Sequence, residues 1–143
     1  MLKPKMCCIF CGLCDLNENF NEVFKKRIKD CVINRNIRFF YVSSMMDVIF
    51  KMLDELRSEY NFCYIKNSRQ EDLYIPYIDL EKFLEFKFFK DVEYSRSNLW
   101  VVDYSTLAIF ITSSDYSKEG DLLHYARRQN KEYINLYSTN TSI

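Results

Sequence analysis

Apolar and polar positions along the chain follow two alternating patterns. Apolar runs within Lys5–Cys11 and Leu107–Thr112 are typical of strands buried on both faces of a sheet. Over Phe20–Asn34, apolar residues recur every three or four positions, which predicts an amphipathic helix, and Asn19 with Glu22 has the spacing of a capping box at its start. The same criteria predict strands over Ile37–Val42, Asn61–Lys66 and Glu132–Tyr137, and helices over Ser44–Tyr60, Ser97–Tyr104 and Lys118–Asn130.

The alternation of strands and helices predicts an α/β fold. We expect a Rossmann-like three-layer sandwich with a mostly parallel five-stranded sheet and helices on both faces. Residues 1–137 are expected to form one domain and residues 138–143 a flexible tail. The polar stretch Asn67–Ile78, which contains Pro76, predicts a long loop, and Leu80–Phe89 predicts a short helix or an irregular cover. Ligands of such sheets bind at the carboxyl ends of the strands, where the strand order reverses.

Composition narrows the class of protein. A chain of 143 residues, 48% hydrophobic and 28% charged, has the size and composition of one globular domain. Its 20 basic and 20 acidic side chains balance, which argues against a nucleic-acid partner. The apolar runs are far shorter than the roughly 20 residues that span a bilayer, and Met1–Cys14 lacks the apolar core of a secretory signal. We therefore expect a cytoplasmic protein with no membrane partner.

The cysteines allow two interpretations. Cys7, Cys8, Cys11 and Cys14 have overlapping C-x-x-C spacings, which zinc sites also have. A buried strand, however, points Cys7 and Cys8 to opposite faces of the sheet, and the only histidine, His124, is distant in sequence. The pattern favours core cysteines, so no metal and no cofactor is expected, and a zinc site remains the alternative. Cys31 and Cys63 each lie in an apolar pattern that indicates packing.

Motifs in the C-terminal half resemble the SLOG superfamily. They are Arg96–Ser105 (RSNLWVVDYS), Leu123–Arg128 (LHYARR) and Tyr133–Leu136 (YINL), with looser agreement at Cys7–Phe10 and at Phe40–Val42 followed by Asp47. The resemblance is to an uncharacterised bacterial branch of this superfamily. SLOG domains are Rossmann-like nucleotide-binding folds that include the "lonely guy" phosphoribohydrolases and sensor modules of antiviral systems. The resemblance implies a nucleotide-like ligand, a bacterial or phage origin, and a role in antiviral defence or counter-defence.

The loops that carry phosphate in SLOG domains are poor in glycine here. The corresponding segments read Gly12-Leu13-Cys14, Ser43-Ser44-Met45-Met46 and Ser117-Lys118-Glu119-Gly120. Phosphates approach backbone N–H groups closely in glycine-rich loops, and this chain has only two glycines. Serine and lysine side chains are the remaining candidates for anion binding at these positions. The loss of the glycine-rich catalytic motif favours binding over catalysis, and no catalytic residue is assigned.

The candidate ligand-binding residues follow from the resemblance and from the loop positions. The resemblance implies that Arg96 pairs with a phosphate and that Asn98 orients a base or sugar, although Asn98 is equally suited to fixing a local turn. Asp47 suits a ribose hydroxyl, but an acid in the first turn of a helix is also stabilised by the helix dipole, and the same holds for Glu119. Trp100 is expected to pack rather than to stack on a base. The full candidate set is Gly12, Ser43, Ser44, Asp47, Arg96, Asn98, Ser117, Lys118, Glu119 and Gly120.

Three functions compete. The first is binding of a nucleotide or nucleotide-derived signal without turnover. The second is hydrolysis of a nucleotide N-glycosidic bond, as in the phosphoribohydrolases. The third is a protein-interaction scaffold that has lost ligand binding and forms a homo-oligomer through the aromatic-rich stretch Leu73–Tyr94.

Overall fold

A computed structural model describes residues 5–12, 16, 19–42, 47–66, 77–80, 83, 94–113 and 117–137. The strands in this part of the chain are β1 (Met6–Cys11), β2 (Phe39–Val42), β3 (Cys63–Lys66), β4 (Tyr77–Asp79), β5 (Leu107–Ile111) and β6 (Tyr133–Asn135). The helices are α1 (Phe20–Arg35), α2 (Asp47–Glu59), α3 (Tyr94–Tyr104) and α4 (Lys118–Arg128).

The described strands form one parallel sheet in the order β4-β3-β2-β1-β5-β6. β1 lies at the centre, with Cys8 opposite Tyr41 of β2 on one side and opposite Ala108 of β5 on the other. β1 and β5 are buried at every position, which explains why every residue in these two strands is apolar. The predicted Rossmann-like α/β architecture is confirmed.

Helices cover both faces of this sheet, so the protein has three layers. On one face, Cys7, Ile9 and Cys11 of β1 pack into a cluster with the buried residues of α1 and α2. On the other face, Cys8 and Phe10 pack with residues of α3 and α4. The alternation of Cys7 and Cys8 between the two faces agrees with the sequence prediction.

The sheet has one strand more than expected among the described residues. The additional strand is β4, which lies at the sheet edge, pairs in parallel with β3 and begins inside the predicted long loop Asn67–Ile78. A strand of three residues is too short to show a pattern of its own and depends on its neighbour for stability. The loop prediction was therefore wrong at Tyr77 and Ile78.

Three local predictions were also wrong. Asn19 precedes α1, but its side chain makes no capping hydrogen bond, so the capping box is not formed. Trp100 is 39% exposed, because the buried stripe of α3 runs through other positions. Cys63 is exposed, whereas Cys31 is buried as expected.

Within the described ranges, no helix has both the length and the apolar character required to cross a membrane.

Candidate functional site

The strand order reverses between β1 and β5. From β1 the chain builds the sheet outward through β2, β3 and β4, and then returns to the other side of β1 with β5 and β6. Gly12 follows β1 and Thr112 follows β5, so both residues lie at the carboxyl ends of the two strands that flank the reversal. This is where open parallel sheets place their ligands.

A group of polar residues surrounds this point, and we call it the switch-point cluster. It consists of Gly12, Thr112, Ser117, Glu119 and Asn135. Gly12, Ser117 and Glu119 belong to the set predicted from sequence, together with Lys118 and Gly120, which lie in the same first turn of α4. The structure thus places half of the predicted residues near the carboxyl ends of the central strands β1 and β5.

Gly12 permits a close approach and does not serve an unusual backbone conformation. Its φ does not lie in the left-handed region. A Cβ at this position would lie 3.1 Å from Glu119 Oε2, 3.3 Å from Glu119 Cδ and 3.5 Å from Thr112 Oγ1. The amide of Gly12 donates to the carbonyl of Ile111 at 2.9 Å, which fixes it against β5. The missing side chain of Gly12 therefore leaves room for the carboxylate of Glu119.

The start of α4 is fixed by hydroxyl groups. Ser117 is the N-cap residue, and its Oγ accepts a hydrogen bond from the Gly120 amide at 3.0 Å. The same Oγ lies 3.2 Å from Thr112 Oγ1, so the cap is joined to the end of β5. A serine N-cap satisfies one of the amides that a helix otherwise leaves open to a ligand.

Asn135 holds the end of β5 from the other side. Its Nδ2 donates to the Thr112 carbonyl at 3.0 Å, and its Oδ1 accepts from the Thr112 amide at 3.3 Å and from the Tyr137 amide at 3.1 Å. The Asn135 side chain thus bonds both backbone groups of Thr112, as a further residue of β6 would do if the β5–β6 pairing continued. These hydrogen bonds join the carboxyl end of β5 to the end of β6.

The charge at the start of α4 is mixed. Its first turn contains Glu119 and Asp121 together with Lys118. Glu119 is partly buried, whereas Asp121 and Lys118 are exposed. Carboxylates in the first turn offset the partial positive charge of the helix end. The positive potential that attracts a phosphate to a helix start is therefore reduced here.

Asn98 lies in the core between α3 and β2. It is 6% exposed, and its Oδ1 accepts a hydrogen bond from the hydroxyl of Tyr41 at 3.2 Å. Buried polar groups need such partners, because an unpaired one costs about 1–3 kcal/mol. This bond joins α3 to β2 across the core, so it differs from the local-turn role that was the alternative to ligand binding.

The remaining predicted residues are described in part or not at all. Asp47 is the first residue of α2 and Arg96 lies in the first turn of α3, but only their backbones are described. Ser43 and Ser44 lie outside the described residues, as do Cys14 and the predicted tail 138–143. Most of the aromatic-rich stretch Leu73–Tyr94 also lies outside them.

The described cysteines of β1 are deeply buried thiols. Burial raises the pKa of Cys8 to about 12, and burial followed by a hydrogen bond with Cys31 raises the pKa of Cys7 well above its ordinary value. Metal-binding thiols are ionised, and desolvation opposes that ionisation. Over the ranges that the structure describes, no three His, Cys, Asp or Glu side chains are grouped as a metal site requires.

Two members of the cluster, Thr112 and Asn135, were not among the individually predicted site residues, although Thr112 begins a loop at the carboxyl end of a strand, where ligands were expected. Thr112 is the polar residue that ends an apolar strand, and this signal was visible in the sequence. The sequence indicated Asn135 only as part of the Tyr133–Leu136 motif. Its role could not be predicted, because its three hydrogen bonds depend on how β6 packs beside β5.

Comparisons with protein-family models, with curated proteins and with solved structures give no match to this chain.

Proposed function

We propose that the chain binds a nucleotide or nucleotide-derived ligand at the switch-point cluster and does not turn it over. The observation that carries this proposal is the carboxylate of Glu119, held against Gly12 at the place where the strand order reverses. Carboxylate oxygens accept hydrogen bonds from hydroxyl and amino groups, which the ribose and the base of a nucleoside both offer. Hydrogen bonds from Asn135 and a contact with Ser117 position Thr112 beside that carboxylate, and such preorganisation favours selective binding.

The motifs that resemble the SLOG superfamily support the same ligand class. We propose on those motifs that the chain is a divergent SLOG-like domain. Its glycine-poor loops argue for binding without catalysis, because they lack the glycine-rich catalytic motif of the phosphoribohydrolases. This part of the proposal rests on analogy of fold and motif.

Isothermal titration calorimetry against a panel of nucleosides and nucleoside monophosphates tests the proposal. We expect one base class to bind with a dissociation constant in the micromolar range or below. Glu119→Ala should weaken that binding at least tenfold, since it removes the acceptor at the switch point. Glu132→Ala is the matched control, because Glu132 precedes β6 at the opposite end of the strands and pairs there with Arg35. Absence of binding across the panel, or equal loss in both variants, would refute the proposal.

The second candidate function is hydrolysis of an N-glycosidic bond, and the same carboxylate favours it. Such a reaction requires a carboxylate close to the ribose. Incubation with each nucleoside monophosphate, followed by chromatography of the free base, distinguishes the two functions. If the unmodified protein releases free base and Glu119→Ala does not, the function of this site is catalysis rather than binding alone.

A further inference from the structure

Two thiols on facing elements meet near the amino ends of the strands, far from the switch-point cluster. Cys7 is the second residue of β1, and it belongs to the core cluster on the side of α1 and α2. Cys31 lies among the buried residues of α1 and belongs to the same cluster. Both residues are 0% exposed, and neither is in a disulfide. We call Cys7 and Cys31 the thiol pair.

The direction of the chain explains why these two residues meet. β1 and β2 are parallel, so α1, which connects them, runs back along the sheet and its last turns lie beside the first residues of β1. Lys5 directly precedes β1, and its Nζ donates to the carbonyl of Arg35, the last residue of α1, at 3.3 Å. At the same end of the two elements, the Cys7 thiol forms a hydrogen bond with the Cys31 thiol. The packing of α1 on β1 therefore brings together two thiols that are distant in sequence.

The two thiols differ in how readily they ionise. The hydrogen bond with Cys7 and then the positive charge of Arg35 lower the pKa of Cys31, although burial opposes this. Burial and the same hydrogen bond raise the pKa of Cys7 well above its ordinary value. The thiolate is the form that attacks an oxidant. Cys31 is therefore the member of the pair that reacts first, and Cys7 remains beside it as a second thiol.

An oxidant reaches this pair only through a local opening, because both side chains are buried. The carbonyl of Cys31 accepts hydrogen bonds from the amides of Asn36 and Ile37, the latter at 3.0 Å, and these bonds hold the end of α1. Helix ends open locally at a lower free energy than central strands do. Oxidation of the pair should therefore be slower than that of the exposed thiol of Cys63.

We infer that Cys7 and Cys31 are an oxidation site at which a hydroperoxide forms a disulfide between β1 and α1. First, the Cys31 thiolate attacks one oxygen of the peroxide and the O–O bond breaks. The departing oxygen takes up a proton, and Cys31 becomes a sulfenic acid. The sulfur of Cys7 then attacks the sulfur of Cys31, the S–O bond breaks, and the hydroxyl group leaves as water with the proton of Cys7. With hydrogen peroxide, two thiols and one peroxide give one disulfide and two molecules of water.

Peptide mapping of the folded protein after treatment with hydrogen peroxide tests this inference. The remaining thiols are alkylated, and the protein is digested with trypsin without a reductant. We expect the peptide Met6–Lys25 to be linked to the peptide Asp30–Arg35, with a mass two hydrogen atoms below that of the two reduced peptides. Fragment ions should place the bond between Cys7 and Cys31. In concentrated urea this preference should be lost, because it depends on the packing of α1 on β1.

Two other cysteines of the same tryptic peptide provide matched controls. Cys8 is as buried as Cys7 but packs on the opposite face of the sheet, and Cys11 shares the face of Cys7 at the other end of β1. Cys7→Ala should abolish the link to Cys31, whereas Cys8→Ala and Cys11→Ala should leave its yield unchanged. In Cys7→Ala, dimedone should trap a sulfenic acid at Cys31, since the second thiol is absent. Circular dichroism of each variant establishes that the fold is retained.

The mapping of the unmodified protein decides the inference even where a variant fails to fold. If Cys31 is linked to a cysteine other than Cys7, or if it stays reduced after the exposed Cys63 has been oxidised, the inference is wrong. It is also wrong if the folded protein shows no more preference for the Cys7–Cys31 link than the protein in urea. None of these measurements involves a nucleotide, so the inference and the proposed function are tested separately.

Discussion

The contact between Gly12 and Glu119 can be tested by adding the missing methyl group. Gly12→Ala places a Cβ 3.1 Å from Glu119 Oε2 and 3.3 Å from Glu119 Cδ, closer than the roughly 3.5–4.0 Å of a favourable contact. The carboxylate must therefore move by a few tenths of an ångström. Because it is the end of a flexible side chain, this movement should cost about 0.5–1.5 kcal/mol.

An opposing gain comes from the unfolded state. Replacing a glycine by alanine where the backbone permits it stabilises a protein by about 0.4–1 kcal/mol, and Gly12 has no left-handed φ that would prevent this. The two effects nearly cancel, so Gly12→Ala alone should change the free energy of unfolding by less than about 1 kcal/mol. In a Glu119→Ala background the clash is absent, and the same substitution should stabilise by the full 0.4–1 kcal/mol or so.

A double-mutant cycle measured by urea unfolding gives the coupling between the two positions. We expect a coupling energy of about 0.5–1.5 kcal/mol, which shifts the urea midpoint measurably for a domain of this size. Pairing Gly12→Ala with Glu132→Ala should give additive effects, since Glu132 lies at the other end of the strands. If Gly12→Ala has the same effect in the unmodified protein and in Glu119→Ala, the Glu119 carboxylate does not lie against Gly12.

Three further predictions concern the groups that hold the site and the core. Tyr41→Phe removes the donor to the buried Oδ1 of Asn98 and should lower the free energy of urea unfolding by about 1–3 kcal/mol; a change below about 0.5 kcal/mol would contradict the bond. Asn135→Ala removes both hydrogen bonds to Thr112 and should cost about 2–3 kcal/mol, and Asn135→Asp, which keeps an acceptor oxygen, should recover part of it. Burial raises the pKa of Cys8 to about 12, so above pH 9 the unfolded state loses this proton before the folded state does, and stability falls as pH rises. Between pH 8 and pH 10, Cys8→Ala should lose about 1.5 kcal/mol less stability than the unmodified protein.

The sequence predicted the central layers of the fold because burial there leaves a direct pattern. β1 and β5 are apolar at every position. Helix α4 begins at Lys118, the residue at which the sequence predicted its start. β4 was missed because three residues at an edge are held by pairing with β3 rather than by a pattern of their own. The predictions therefore succeeded where side-chain burial specifies the element and failed where a neighbouring strand does.

Helix α3 shows a pattern that was present in the sequence and misinterpreted. Among its described side chains, Asn98, Val101 and Val102 are buried, and Ser105, directly after the helix, continues the same stripe. Trp100 lies off that stripe and is partly exposed. A polar residue on a buried stripe indicates an internal hydrogen bond, and Asn98 has one with Tyr41. The contact of Glu119 with Gly12, in contrast, could not be predicted, because it requires knowing that β5 returns to the side of β1.

The scarcity of glycine is weaker evidence about the ligand than the contacts of Glu119 and Ser117. In the part of the chain that the structure describes, the two residues with left-handed φ are Asn36 at 56° and Asn130 at 54°. Asparagine is the residue other than glycine that adopts this conformation most readily, and Asn36 follows α1 at a position where glycine commonly ends a helix. Asparagine thus takes left-handed positions in this chain that glycine commonly takes, so a low glycine content does not by itself indicate a lost phosphate loop.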